Sequence, residues 1–254
     1  MTTVKDILQY LEILAPRSYK MDWDNVGLLC GSSTQEVTKV LVALDPFEAV
    51  CNEAAEIGAE LIVTHHPLIF IAPKAITDET SVGRCIMDLC RHGISAINAH
   101  TNLDCAPGGV NDVLAAILGL ENVEVIGNEN LLRCGKVPQQ PLTSFLSRVK
   151  TTLDCQGLRY VDGGKPVHRV AVGGGGCAGG LMDAVAAGCD TFVTADVKYN
   201  QFWDAKDFGI NLIDAGHFQT ENPMVAVLAK KLQAQFPEIQ VKTSKVHKDC
   251  MKFF

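Results

Sequence analysis

Ala59-Glu60-Leu61-Ile62-Val63-Thr64-His65-His66-Pro67 returns about 130 residues later as Gly188-Cys189-Asp190-Thr191-Phe192-Val193-Thr194-Ala195-Asp196, and the repetition decides the fold. Working outward, Val40-Leu41-Val42-Ala43-Leu44-Asp45 precedes the first copy and Val170-Ala171-Val172-Gly173 the second, each followed by a helical stretch. Downstream, Gly93-Ile94-Ser95-Ala96-Ile97-Asn98-Ala99-His100-Thr101-Asn102-Leu103-Asp104 is matched by Gly209-Ile210-Asn211-Leu212-Ile213-Asp214-Ala215-Gly216-His217-Phe218-Gln219-Thr220-Glu221. Each half therefore reads strand, helix, strand, helix, strand, helix. That alternation predicts α/β architecture with largely parallel strands covered by helices on both faces. The expectation is two similar α/β lobes, 1–125 and 126–254, with the C-terminal helix packing back on the first lobe. In such sheets ligands collect beyond the carboxyl ends of the strands. A pseudo-twofold relation between the halves would turn those ends toward one cleft between the lobes.

The helices that close each half are legible. Val110, Val113, Leu114, Ile117 and Leu118 form an i, i+3, i+4, i+7, i+8 stripe that Gly119 ends. In the second half Asn222 reads as a cap and Pro223 as a first-turn residue. Residues 126–169 read as a connecting unit. It has a short strand from Leu132 to Val137 broken by Pro138, an amphipathic helix from Pro141 to Leu153, and a hairpin of 158–161 with 168–170 around Asp162-Gly163-Gly164.

Composition narrows the class. With 254 residues and 47% hydrophobic content, the chain has material for a real core. Its start carries no charged region followed by an apolar run, and no apolar stretch approaches the ~18–20 residues of a membrane span. A cytoplasmic protein is expected, and its ten scattered cysteines, with no CxxC pair, are expected to be reduced and mostly buried. The net charge of −7, without a Lys/Arg block, argues against a surface that wraps duplex nucleic acid.

Chemistry concentrates at the predicted strand ends. Neighbouring side chains on a strand face opposite ways, so His65 and His66 converge only where the pleat stops, and Pro67 stops it. A hydrogen-bonded strand-end pair is one reading of the two imidazoles, and metal ligation is the other. His65, His66, Asp104, His217 and Glu221 all fall at strand ends and make a mixed nitrogen and oxygen set. Such a set suits zinc, manganese, iron or nickel better than magnesium or calcium. Five ligands cannot close two coordination spheres, so water completes them, which favours a reactive site over a structural one. Asp104 or Glu221 could bridge two ions, roughly 3.5–4 Å apart in two-metal sites.

His100 could be a ligand, a proton shuttle or a group that orients a ligand; the last two are favoured. Asp196 takes the place of His66 in the repeat and borders the same cleft, or only caps a turn. Gly173–Gly176 lacks the Lys-Ser/Thr of a phosphate loop and reads as a tight strand-to-helix turn close to a ligand. His92, His168 and His247 stand alone and read as ordinary surface or satisfied histidines. Asp24-Asn25-Val26-Gly27-Leu28 after Trp23 reads as a turn whose polar side chains face the cleft.

Trp23-Asp24-Asn25-Val26-Gly27-Leu28, Thr64-His65-His66-Pro67-Leu68, His100-Thr101-Asn102-Leu103-Asp104, Thr194-Ala195-Asp196 and Ala215-Gly216-His217-Phe218-Gln219-Thr220-Glu221 together resemble the GTP cyclohydrolase 1 type 2 homologues, also called interacting-factor-3-like proteins. The resemblance runs from the first helix almost to the last. It implies a two-lobed subunit, a toroidal homohexamer, and two divalent ions per subunit at His65, His66, Asp104, His217 and Glu221. Ala195, Asn200 and Phe218 depart from the family pattern, and Asn200 removes a histidine that could relay protons. The large central insertion of some members is missing, so no regulatory module is expected. The implied activity is a metal-dependent hydrolase in which metal hydroxide attacks C8 of a purine nucleotide and formate leaves. A phosphorylated small molecule or nucleotide is the expected ligand. The alternatives are a metal-dependent phosphoesterase, and a metal-binding, metal-delivery or protein-interaction scaffold without turnover.

Overall fold

A computed structural model describes residues 1–254, which form two compact units. One comprises 1–106 with 225–248, the other 107–224 with 249–254. The first holds α1 (Val4–Leu14), β1 (Gly27–Cys30), β2 (Lys39–Ala43), α2 (Glu48–Glu56), β3 (Leu61–Thr64), α3 (Ser81–His92), β4 (Ser95–Asn98) and α4 (Thr101–Cys105). The second holds α5 (Val110–Ile117), β5 (Glu121–Ile126), β6 (Leu132–Gln140), α6 (Leu142–Thr152), β7 (Arg159–Val161) and β8 (Val167–Val172). It continues with α7 (Leu181–Ala186), β9 (Thr191–Thr194), α8 (Tyr199–Phe208), β10 (Asn211–Asp214) and α9 (His217–Glu221). Then α10 (Pro223–Gln235) precedes β11 (Gln240–Thr243).

The first unit's sheet has the order β1-β4-β3-β2-β11, parallel throughout except that β1 runs antiparallel to β4. The second unit's sheet has the order β5-β6-β8-β9-β10-β7, with a parallel centre of β8, β9 and β10 and antiparallel strands outside it. The repeat survives at the level of register. Val40 pairs with Leu61 and Leu61 with Ser95 in the first sheet; Val170 pairs with Thr191 and Thr191 with Asn211 in the second. The same glycine device ends the helix before the third strand of each half: Gly93 at φ +63° closes α3 and Gly209 at φ +62° closes α8, both in the left-handed region where a Cβ is costly.

Strand alternation explains the cores. In the second unit Val170, Val172, Val193 and Ile213 pack one face of the sheet with Phe145 and Val149 of α6, while Ala171, Phe192 and Leu212 pack the other with Leu181. Both faces are covered, which is why these strands read as unbroken apolar runs. Leu114, Leu118 and Leu120 join the Phe145 cluster, so packing groups α5 with the second unit, whereas the order of repeated elements ends the first half at residue 125. In the first unit Leu41, Ile62 and Ala96 face Ile86, Leu89 and Ile94.

Two sequence expectations for the connecting segment are overturned. β6 does not stop at Pro138 but continues to Gln140, with its register against β8 shifting between Lys136 and Gln140, so the proline sits at the irregularity. The hairpin is absent: β7 pairs antiparallel with β10 at the sheet edge, and Asn211 anchors the following turn by accepting from the Gly163 amide and donating to the Lys165 carbonyl. All ten cysteines are free thiols, six of them buried. No helix is long and apolar enough to cross a membrane.

Candidate metal centre

In the first unit the chain leaves β3 directly into His65 and His66, and leaves β4 through Ala99 into His100 and α4, which carries Asp104. His65 is buried, and its Nδ1 donates to the Ala99 carbonyl at 2.9 Å. His66 Nδ1 donates to Asp45 Oδ1 at 2.6 Å, and His100 Nδ1 donates to Asp24 Oδ1 at 2.8 Å. Every imidazole is thus pinned at Nδ1, which assigns the lone pair to Nε2. The three rings lie 5.0, 5.1 and 5.4 Å apart between centroids, and one donor atom from each can be chosen so that all lie within 4.8 Å of one another. Buried Asp104 places Oδ1 3.5 Å from His65 Nε2. The sequence-predicted His65, His66, His100 and Asp104 therefore meet. Imidazoles oriented by carboxylates or carbonyls, with a carboxylate opposite, match how proteins hold divalent transition metals.

The second unit repeats the device. β10 ends at Asp214, Gly216 takes φ +88°, and α9 presents His217 and Glu221 one turn apart, with His217 Nε2 3.1 Å from Glu221 Oε2. His217 Nδ1 donates to Asp196 Oδ2 at 2.7 Å. Asp196 itself stands at φ +53°, a conformation rare outside glycine and asparagine and often retained where a side chain must be aimed. The Gly173–Gly176 turn lies against the same helix. Gly175 donates its amide to Thr220 Oγ1 at 2.9 Å, and a Cβ at Gly175 would stand 1.9 Å from Glu221 Oε1 and 3.0 Å from His217 Nε2. The glycine run is therefore a close-approach turn onto the candidate ligands, as its sequence suggested.

Electrostatics follow from these pairings. Burial pushes Asp24 up, but the hydrogen bonds from His100 and Thr101 outweigh it and bring its pKa down to about 2. Burial likewise opposes the hydrogen bonds of His247 and His66 at Asp45, and the bonds hold that carboxyl well below the usual range. Both groups are carboxylates at neutral pH.

Asp45 and His247 are the residues that sequence reasoning missed. Asp45 follows β2 and so obeys the same strand-end rule as His65, a signal that was available. His247 is a satisfied histidine, its Nε2 hydrogen-bonded to Asp45 Oδ2 at 2.8 Å with its ring largely covered, and nothing in its sequence neighbourhood marks that pairing. His92 and His168 are satisfied by backbone carbonyls, of Asp88 and Val137 respectively. Trp23 and Phe70 stand edge-on to the His100 ring at 6.3 and 6.2 Å and remain exposed.

Two sheets with parallel centres, whose strand ends carry oriented histidines and carboxylates, define an α/β protein with residues that could hold a metal. The family model for Duf34/NIF3 (NGG1p interacting factor 3) matches residues 2–250, and the chain belongs to that family. It is 34% identical to a "GTP cyclohydrolase 1 type 2 homolog" of Clostridium perfringens over 98% of this chain and 99% of that protein. It is 35% identical to one of Clostridium acetobutylicum over 94% and 93%. Among solved structures, Staphylococcus aureus protein SA1388 superposes with a TM-score of 0.93 at 31% identity, covering 100% of this chain and 99% of that one.

Proposed function

We propose that this protein is a divalent-metal-dependent hydrolase acting on a nucleotide, with His65, His66 and Asp104 of the first unit and His217 and Glu221 of the second as metal ligands and two divalent ions per subunit as the loaded state. The observation that carries the reading is the repeated Nδ1 anchoring. In both units the candidate histidines spend Nδ1 on a carboxylate or carbonyl and keep Nε2 beside a second donor, an arrangement with little structural purpose. The donor set suits zinc, manganese, iron or nickel. When bound, such ions supply Lewis acidity and an acidified water.

The chain's own residues have distinct parts. Asp45 and Asp196 keep His66 and His217 in the ligating tautomer. His100, held at Nδ1 by Asp24, presents Nε2 as the group that holds or moves a proton, with Asp24 stabilising the imidazolium. Gly175 leaves room for the Glu221 carboxylate. The names of the relatives point to GTP as the first nucleotide to try. A toroidal homohexamer is proposed from the family resemblance alone, and light scattering that found a stable monomer would count against the ring.

The deciding experiment is turnover by metal-reconstituted protein on GTP and a nucleotide panel, following formate and ring-opened product beside phosphate release. His65→Ala and His217→Ala should abolish turnover without unfolding the chain. Phosphate release alone would make it a phosphoesterase. No turnover by fully metallated protein would leave a metal-binding scaffold. Activity surviving chelation and both substitutions would sink the dinuclear reading.

A further inference from the structure

The second unit contains a cavity of about 320 Å³, near the lower end of the range for small-molecule sites, that has one wall at the candidate centre and the other in the C-terminal segment. Asp196 and Gly216, which flank His217, line the first wall; Asp249, Met251 and Phe253 line the second. One hydrogen bond ties the two walls together, from Gln219 Nε2 of α9 to Asp249 Oδ2 at 2.7 Å, and within the second wall the Met251 amide donates to Asp249 Oδ1 at 2.9 Å. Phe253 is seated on Gly157, where a Cβ would come within 2.9 Å of the ring. The recess has an aromatic face, supplied by the half-exposed Phe253 ring.

Its chemistry selects among ligands. The lining holds three carboxylates, Asp196, Asp214 and Asp249, against two cations, Arg159 and Lys252. Arg159 is already committed, paired with Asp214 and donating to the Val197 carbonyl at 3.2 Å. A polyphosphate would meet an excess of negative charge there. A flat ring carrying N–H groups would instead find carboxylate acceptors, glutamine amides and an aromatic face to stack on. We infer that this cavity binds the planar nitrogen heterocycle of the substrate, holding the ring beside His217. The inference deepens the nucleotide-hydrolase reading and rests on it for the identity of the bound molecule as substrate.

The test uses the full chain and a fluorescent probe without phosphate, 2-aminopurine riboside, titrated into metal-loaded and chelated protein. The expected result is saturable binding in both states, weakened about tenfold or more by Phe253→Ala and by Asp249→Ala, and resisted by excess ribose 5-phosphate. Gly157→Ala, which displaces the Phe253 ring, should weaken it similarly while leaving divalent-metal binding unchanged. Absence of binding, equal binding in all three variants, or displacement by ribose 5-phosphate would overturn the inference. The two readings fail separately. Nucleotide turnover with KM unaltered in these variants removes only the cavity assignment, whereas variant-sensitive probe binding with no turnover of any nucleotide removes only the hydrolase.

Discussion

Asp45 joins His66 to His247: one carboxylate oxygen accepts from His66 Nδ1 at 2.6 Å and the other from His247 Nε2 at 2.8 Å. Residues 202 positions apart are thereby made parts of one device. His247 is itself fastened, its amide donating to Ser244 Oγ at 3.1 Å and its ring stacked on Phe47 at 6.0 Å. Asp45 thus meets His66 with its other carboxylate oxygen already engaged.

Replacing His247 by alanine should therefore loosen metal binding without removing any ligand. Loss of a residue that orients a metal-ligating group typically costs ~10–100-fold in affinity. Manganese or zinc titration of His247→Ala should show a drop of that order, with partial recovery in His247→Gln, whose amide can still donate to Asp45. Affinity equal to that of the parent protein would show that Asp45 needs no second partner.

Gly175→Ala should be costly twice over. The residue sits at φ +60°, and the added Cβ would collide with the Glu221 carboxylate. The backbone penalty alone is about 1–2 kcal/mol, so thermal unfolding should fall by several degrees. Metal content by elemental analysis should fall with it, because Glu221 has to move. A variant with normal metal content would mean that Glu221 lies elsewhere when the protein is loaded.

Arg133 is buried in β6, its Nε bonded to Asp112 of α5 and its Nη1 donating to the Asn130 carbonyl at 2.9 Å. Asp112→Ala removes a partly exposed carboxylate partner of this buried cation, and a hydrogen bond to a charged group is worth about 1.5–3 kcal/mol. Chemical denaturation should register a loss of that size. A loss below about 1 kcal/mol would place the pair among ordinary surface contacts.

Glu60 accepts from the Thr38 and Lys39 amides at 3.0 and 2.8 Å, as Asp190 accepts from the His168 and Arg169 amides in the second repeat. Burial opposes these bonds, but they prevail and lower the Glu60 pKa. A depressed folded-state pKa means that the contribution is complete above the unfolded value, ~4.3, and is lost as pH falls through the folded one. Stability measured from pH 6 down to pH 3 should decline less steeply in Glu60→Gln than in the parent. Parallel curves would remove Glu60 from the acid response.

Alternation and periodicity made much of this protein legible in advance. The repeated strand-helix order named the α/β class, and the comparison of Leu61–His66 with Thr191–Asp196 anticipated the shared registers. The strand-end rule located His65, His66, His100 and Asp104, which the first unit brings together, and His217 and Glu221, which lie side by side in the second. These signals are local, since a strand, its apolar pattern and the residue after its last pair lie within a few positions of one another. What tertiary structure alone decided is non-local. β7 joins β10 rather than β8, β11 adds to β2, Gly175 comes to rest against Glu221, and His247 meets Asp45. Each of these depends on which hydrogen-bonding edge or buried carboxylate remains to be satisfied after the repeats have packed, and a contact chosen by what is left over leaves no period in the chain.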